Sequence, residues 1–128
     1  MKIFNITIVL LLTLILVGCA TTKSYQDAGV YNGKNYTFDV TWEDKGLFRE
    51  TYVSINDERV LTIDRVSIKT ANCQKISFYV NQCSFKAAYA GNDVDVIQTI
   101  DGQLYQQNAY YKILFNGTLV RTITTPLH

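Results

Sequence analysis

The chain has 128 residues, with 12 Lys+Arg against 11 Asp+Glu, one His, three Cys and one Pro. This balance excludes a nucleic-acid protein that works through bulk positive charge, and it excludes a charged disordered tail. The length fits one domain with a modest core.

The chain opens on Lys2, the only charge in its first 22 residues, followed by an apolar run from Ile3 to Val17 interrupted by Asn5, Thr7 and Thr13. The run is shorter than the roughly 20 residues that span hydrocarbon, and it suits the apolar region of a secretory signal peptide. It stops at Gly18-Cys19 and turns polar at Thr21, Thr22, Lys23 and Ser24. Residues 1–18 therefore read as a cleaved leader, which leaves 110 of the 128 residues with 11 basic and 11 acidic side chains.

Leu16-Val17-Gly18-Cys19 resembles the lipobox of bacterial lipoproteins, and the resemblance covers only residues 1 to about 22. It implies that Leu16, Val17 and Gly18 are read by the signal peptidase. The Cys19 thiol then takes a diacylglyceryl group, and the new amino terminus is acylated with a chain of the palmitate class. Each buried methylene contributes about 0.8 kcal/mol, and two or more chains anchor stably where one does not. In that family the residue after the lipidated Cys sorts the protein. Ala20 there implies the periplasmic face of the outer membrane in a cell with two membranes.

Ala20–Val30 is polar and small with little periodicity, so residues 19–30 read as a flexible tether reaching roughly 17 Å. From Tyr31 to His128 the period is two. Tyr36, Phe38, Val40 and Trp42 alternate with polar residues, as do Thr51, Val53 and Ile55, and then Ile76, Phe78 and Val80. Val60–Ile63 followed by Val66 and Ile68, Phe85–Tyr89, Val94–Ile100, Tyr110–Phe115 and Thr118–Thr124 supply further strands, with Phe85–Tyr89 also able to form one helical turn. Turn signals separate them at Asn32-Gly33, Lys45-Gly46, Asn56-Asp57, Gly91-Asn92-Asp93, Asp101-Gly102 and Asn116-Gly117. The expected fold is all-β, an antiparallel sandwich or small barrel of about eight short strands in a single domain over 31–128. No segment after Val17 shows a sustained helical stripe.

A two-residue type I′ turn at Asn116-Gly117 predicts pairs Phe115–Thr118, Ile113–Val120 and Tyr111–Thr122, with Lys112 opposite Arg121. Sixty residues earlier, Ile55–Ile63 matches Phe115–Ile123 at four of nine positions, and the same register sets Val53 against Val60 and Thr51 against Thr62. One short match is expected of two well-formed hairpins and does not by itself imply duplicated halves.

With Cys19 given to lipid, Cys73 and Cys83 form an even pair ten positions apart, read as a structural disulfide in an oxidising compartment. That spacing matches no short redox or zinc motif.

Catalytic and metal signals are thin. The single His is the terminal His128, and there is no phosphate loop or His-Glu-x-x-His. Asp93, Asp95 and Asp101 are the carboxylates considered for calcium binding or hydrolysis, and a solvated strand face accounts for them more simply. No catalytic residue, metal or cofactor is assigned. Nine Tyr remain, of which Tyr25, Tyr31, Tyr89, Tyr105 and Tyr110 are placed outside or at a rim. Tyr105, Gln106, Gln107 and Tyr110 form the proposed recognition edge.

The functional expectation is a lipid-anchored, non-catalytic envelope module. It is held to the membrane through Cys19 and binds a protein or envelope polymer, not nucleic acid. The alternative is an inhibitor or exclusion factor acting on a lysozyme or on a phage or plasmid receptor. A small carboxylate hydrolase comes third.

Overall fold

The computed structural model describes residues 21–103 and 107–127. Two antiparallel sheets stack as a sandwich. The first has the order β1 (Thr21–Tyr31), β2 (Lys34–Asp44), β3 (Arg49–Ile55) and β4 (Glu58–Ile63). The second has the order β5 (Asn72–Ser77), β6 (Val80–Tyr89), β7 (Asn92–Asp101), β8 (Asn108–Phe115) and β9 (Thr118–Pro126). A single turn and a half of helix, α1 (Arg65–Thr70), joins them.

The alternation that marked the strands also builds the core. Tyr36, Phe38, Val40 and Trp42 of β2 face Phe85 of β6, Val94 and Val96 of β7 and Tyr111, Ile113 and Phe115 of β8, and all are buried. Phe115 is the hub of the aromatic cluster. It meets the Tyr36 ring at 5.0 Å, Tyr31 at 5.3 Å and Phe38 at 5.8 Å, each edge to face, the arrangement favoured by ring quadrupoles.

The two sheets repeat one plan. In each, four consecutive strands form a meander, and the last hairpin carries a bulge at the same place. Ser54 pairs with Arg59 and Val53 with Leu61, leaving Val60 as the extra residue. Leu114 pairs with Leu119 and Ile113 with Arg121, leaving Val120 as the extra residue. Both valines pack against the core. The likeness of Ile55–Ile63 to Phe115–Ile123 thus extends beyond two similar hairpins, because strand order, bulge and packing partner recur together. First-strand β1 lies against last-strand β9, and first-strand β6 lies against last-strand β4.

The bulges correct the expected registers. Ile113 pairs with Arg121 rather than Val120, Tyr111 with Ile123 rather than Thr122, and Lys112 faces Thr122, so no like-charge pair forms. Likewise Val53 faces Leu61 and Thr51 faces Ile63. The reason is parity. Val60 and Ile63 both turn inward, as do Val120 and Ile123, and residues three apart share a strand face only across a bulge.

Three further expectations are corrected. The tether placed at residues 19–30 is a strand over its described part. Thr21–Tyr31 pairs with β2 along all eleven residues, from Thr21–Asp44 to Tyr31–Lys34. The folded body therefore already includes Thr21–Val30, ahead of Tyr31. Gly29 makes this possible, since a Cβ there would sit 3.0 Å from the Phe38 ring and 3.2 Å from the Val120 carbonyl oxygen. Ile76, Phe78 and Val80 do not share a strand, because the chain reverses at Phe78-Tyr79 and pairs Ser77 with Val80. Finally, Val66 and Ile68 lie on α1 and not on a strand. Asp64 caps this helix by accepting from the Ser67 N–H at 2.8 Å, while the Ser67 hydroxyl accepts from the Asp64 N–H at 2.7 Å.

Candidate functional site at the loop-bearing end

Strand pairing gives the sandwich two unlike ends. One carries four tight turns at Asn32-Gly33, Asn56-Asp57, Ala90-Gly91 and Asn116-Gly117, each with positive φ at both central residues. The other carries the start of β1, the Lys45–Phe48 loop, the start of α1, the Phe78-Tyr79 turn, the end of β7 and the start of β8. The sheets are tied together here by Arg49, whose Nη1 donates to the Leu127 carbonyl at 2.8 Å. The Gly102 N–H donates to the Tyr79 carbonyl at 2.8 Å, fixing the aromatic turn to the end of β7.

This end exposes large apolar side chains. Leu47 is 93% exposed, Phe78 77% and Val66 70%, and Phe48 and Tyr79 are also exposed. The Phe78 and Tyr79 rings stack edge to face at 4.8 Å. At the tight-turn end the comparable exposed residues are Val30 and Leu119. Scattered exposed apolar residues are ordinary, whereas a cluster on protruding loops marks a contact surface.

Cations accompany the aromatic rings. Arg65 lies over Phe48 at 5.5 Å and Lys75 over Phe78 at 5.1 Å. Arg49 lies over Trp42 at 3.9 Å and Lys23 over the same ring at 5.4 Å. The Trp42 indole N–H is buried without an acceptor among the described residues. Arg49 also holds the Asp44 carboxyl below the usual carboxylate range through a 2.8 Å hydrogen bond. Glu50 is lowered by the Tyr52 hydroxyl at 2.5 Å and then by Lys45 at 3.1 Å, and the same contact raises Tyr52. These pairs fix the loop bases, leaving the apolar tips as the parts free to meet a partner.

The residues singled out from the sequence fare differently. Leu16, Val17, Gly18 and Cys19 lie outside the described residues, as do Tyr105 and Gln106. Cys73 and Cys83 are joined by a disulfide across the β5–β6 pair. Gln107 accepts the Leu127 N–H at 3.0 Å at the loop-bearing end. Tyr110 stands on the outer face of β8, paired with Thr99 and Thr124. Tyr25, Tyr31 and Tyr89 are half-buried at the rim and packed on the core. Asp93 and Asp95 share the outer face of β7, and Asp95 is paired with Lys86. Among the described residues no group of three or more His, Cys, Asp or Glu side chains is arranged to hold a metal ion.

The apolar tips themselves escaped sequence reasoning. The available signal was Leu47-Phe48 directly after the Lys45-Gly46 turn, where a solvated loop has no use for two large apolar residues.

No protein-family model matches the chain, and no curated protein or solved structure matches it either.

Proposed function

We propose that the chain is a lipid-anchored lipoprotein of the bacterial cell envelope, a non-catalytic module that binds a protein or envelope polymer from the periplasmic face of the outer membrane. The observation that carries this reading is Leu16-Val17-Gly18-Cys19 at the end of an apolar run that opens on a lone Lys2. Ala20 supports the outer-membrane assignment. The Cys73–Cys83 bridge supports export, because disulfides persist in oxidising compartments.

Membrane fractionation of cells expressing the wild-type chain and its Cys19→Ser variant tests this reading. The wild type is expected in the outer-membrane fraction and resistant to salt extraction. The variant is expected to lose that association. A variant that fractionates like the wild type overturns the anchor.

A further inference from the structure

We propose that the loop-bearing end of the sandwich rests on the lipid bilayer, with Leu47, Phe48, Val66, Phe78 and Tyr79 seated in its interfacial layer beside the acylated Cys19. This inference rests on the anchor reading given above, and three observations carry it.

The first is reach. Thr21 is the first residue of β1 and is already paired with Asp44. Only Ala20 separates it from Cys19, a span of two Cα steps and at most about 7 Å even when fully extended. A tether of ten residues would have let the domain stand away from the membrane and tumble. A span of two holds the β1 start against the headgroups, and with it the adjoining β2–β3 loop. The chain geometry therefore selects which end of the sandwich faces the lipid, independently of what that end is made of.

The second is composition. The end selected by reach is the one where large apolar side chains protrude from loops and a turn, with Leu47, Phe78 and Val66 each at least 70% exposed. The opposite end is closed by tight Asn- and Gly-bearing turns. Nothing in the connectivity requires the anchor and the apolar tips to coincide, so their coincidence needs an occupant that is both apolar and adjacent to the acyl chains. A bilayer meets both conditions.

The third is the pairing of rings with cations. Arg65 over Phe48 and Lys75 over Phe78 place a charged head beside an exposed ring. Aromatic rings and long basic side chains are the residues that settle at the boundary between headgroups and acyl chains, the ring inside and the cation reaching back to phosphate and water.

The orientation has a consequence for recognition. It turns the two outer sheet faces sideways and the four tight turns toward the periplasm, and these become the surfaces on which a soluble partner can land.

The test uses the full-length exported protein, reconstituted in phosphatidylethanolamine–phosphatidylglycerol vesicles whose acyl chains carry bromine. Leu47→Trp and Phe78→Trp report on the loop-bearing end, and Leu119→Trp, at an exposed apolar position, reports on the opposite end. The signal of the native Trp42 is subtracted by measuring the unsubstituted protein alongside. Indoles at 47 and 78 are expected to emit at shorter wavelength and to be quenched several-fold more strongly than the indole at 119. Equal exposure of all three to water, or stronger quenching at 119, overturns the orientation. Shielding at 47 and 78 without bromine quenching, together with a dimer in detergent, assigns the end to a second copy and also overturns it. Intact mass of the same preparation separates the two readings. An acylated protein with unquenched indoles removes the orientation and leaves the anchor, whereas a protein without acyl mass removes both.

Discussion

Asn116 donates from Nδ2 to the Tyr31 hydroxyl at 3.2 Å, joining residues 85 positions apart. The other half of the sandwich repeats the contact, with Asn56 Nδ2 donating to the Tyr89 hydroxyl at 3.1 Å. Each asparagine stands first in a β-hairpin turn, and each tyrosine ends the first strand of the opposite meander. The two halves are thus latched reciprocally at the tight-turn end. Asn116 does more than its tyrosine does, since its Oδ1 also accepts the Asp93 N–H at 2.9 Å and its φ is +50°. Tyr31→Phe is expected to cost about 0.5–1.5 kcal/mol, one hydrogen bond's net worth. Asn116→Ala is expected to cost more, because it also strains the turn and leaves the Asp93 N–H unpaired. Urea unfolding of both variants checks the order, and equal losses contradict it.

Among the described residues, Ala90 is the one positive-φ turn residue whose type does not fit its backbone. Its φ is +48° at the first central position of the β6–β7 turn, where the other three tight turns carry Asn. A left-handed conformation costs an ordinary L-residue roughly 1–2 kcal/mol, and Asn tolerates it better. Ala90 is exposed, so the change meets no packing. Ala90→Asn is expected to stabilise the fold by about 0.5–1 kcal/mol, read as a raised midpoint in urea with an unchanged slope. A lowered midpoint contradicts the account.

Every residue of β5 is exposed, and Cys73 pairs directly with Cys83 on β6. This edge strand buries almost nothing, so the bridge carries its attachment. Closing a loop of this length is worth about 2.5–3 kcal/mol in the chain-entropy model. Cys73→Ser with Cys83→Ser is expected to lower stability by up to that amount. Amide exchange is expected to quicken in β5 while β2, β7 and β8 stay protected. Uniform loss of protection across the sandwich contradicts a local role.

Four carboxyls sit below their usual range in the fold. Asp27 is lowered by the Ala28 N–H and by Arg121, Asp44 by Arg49, Glu50 by the Tyr52 hydroxyl and by Lys45, and Asp64 by the Ser67 N–H. The unfolded chain then binds more protons than the folded one in mild acid, so this stability is complete above about pH 4.5 and is lost as pH falls through the folded values. At the other limit, Tyr52, Tyr111 and Lys45 are raised, by the Glu50 carboxylate, by burial and by Glu50 respectively. Their share is present below about pH 10 and is lost as pH rises beyond it. The melting temperature is expected to be flat between these limits and to fall on both sides. Asp27→Asn and Asp64→Asn are expected to make the acid limb shallower, and an acid limb unchanged in both would contradict the assignment.

Much of the sandwich is legible in the sequence because burial enforces parity. Tyr36, Phe38, Val40 and Trp42 announce an inward face, and Asn32-Gly33, Asn56-Asp57 and Asn116-Gly117 announce reversals that only a few residue types accept. What escapes is local structure that burial does not enforce. β1 reads as a linker because the inward positions of this edge strand include Asp27, which serves Arg121, and Gly29, which lets Val120 approach. α1 is too short to show a stripe, and its only mark is the Asp64–Ser67 capping box. The Phe78-Tyr79 reversal uses residues outside the usual turn vocabulary. The apolar tips have no periodicity at all, since what selects them lies outside the fold. The bulges were legible in principle, because Val60 with Ile63, and Val120 with Ile123, cannot share a face in a regular strand.

The most direct test is the intact mass of the exported protein. The account predicts a product that begins at Cys19, with a diacylglyceryl group on the Cys19 sulfur and an acyl chain on its amino group. A product of uncleaved mass, or a cleaved one without acyl mass, would contradict it.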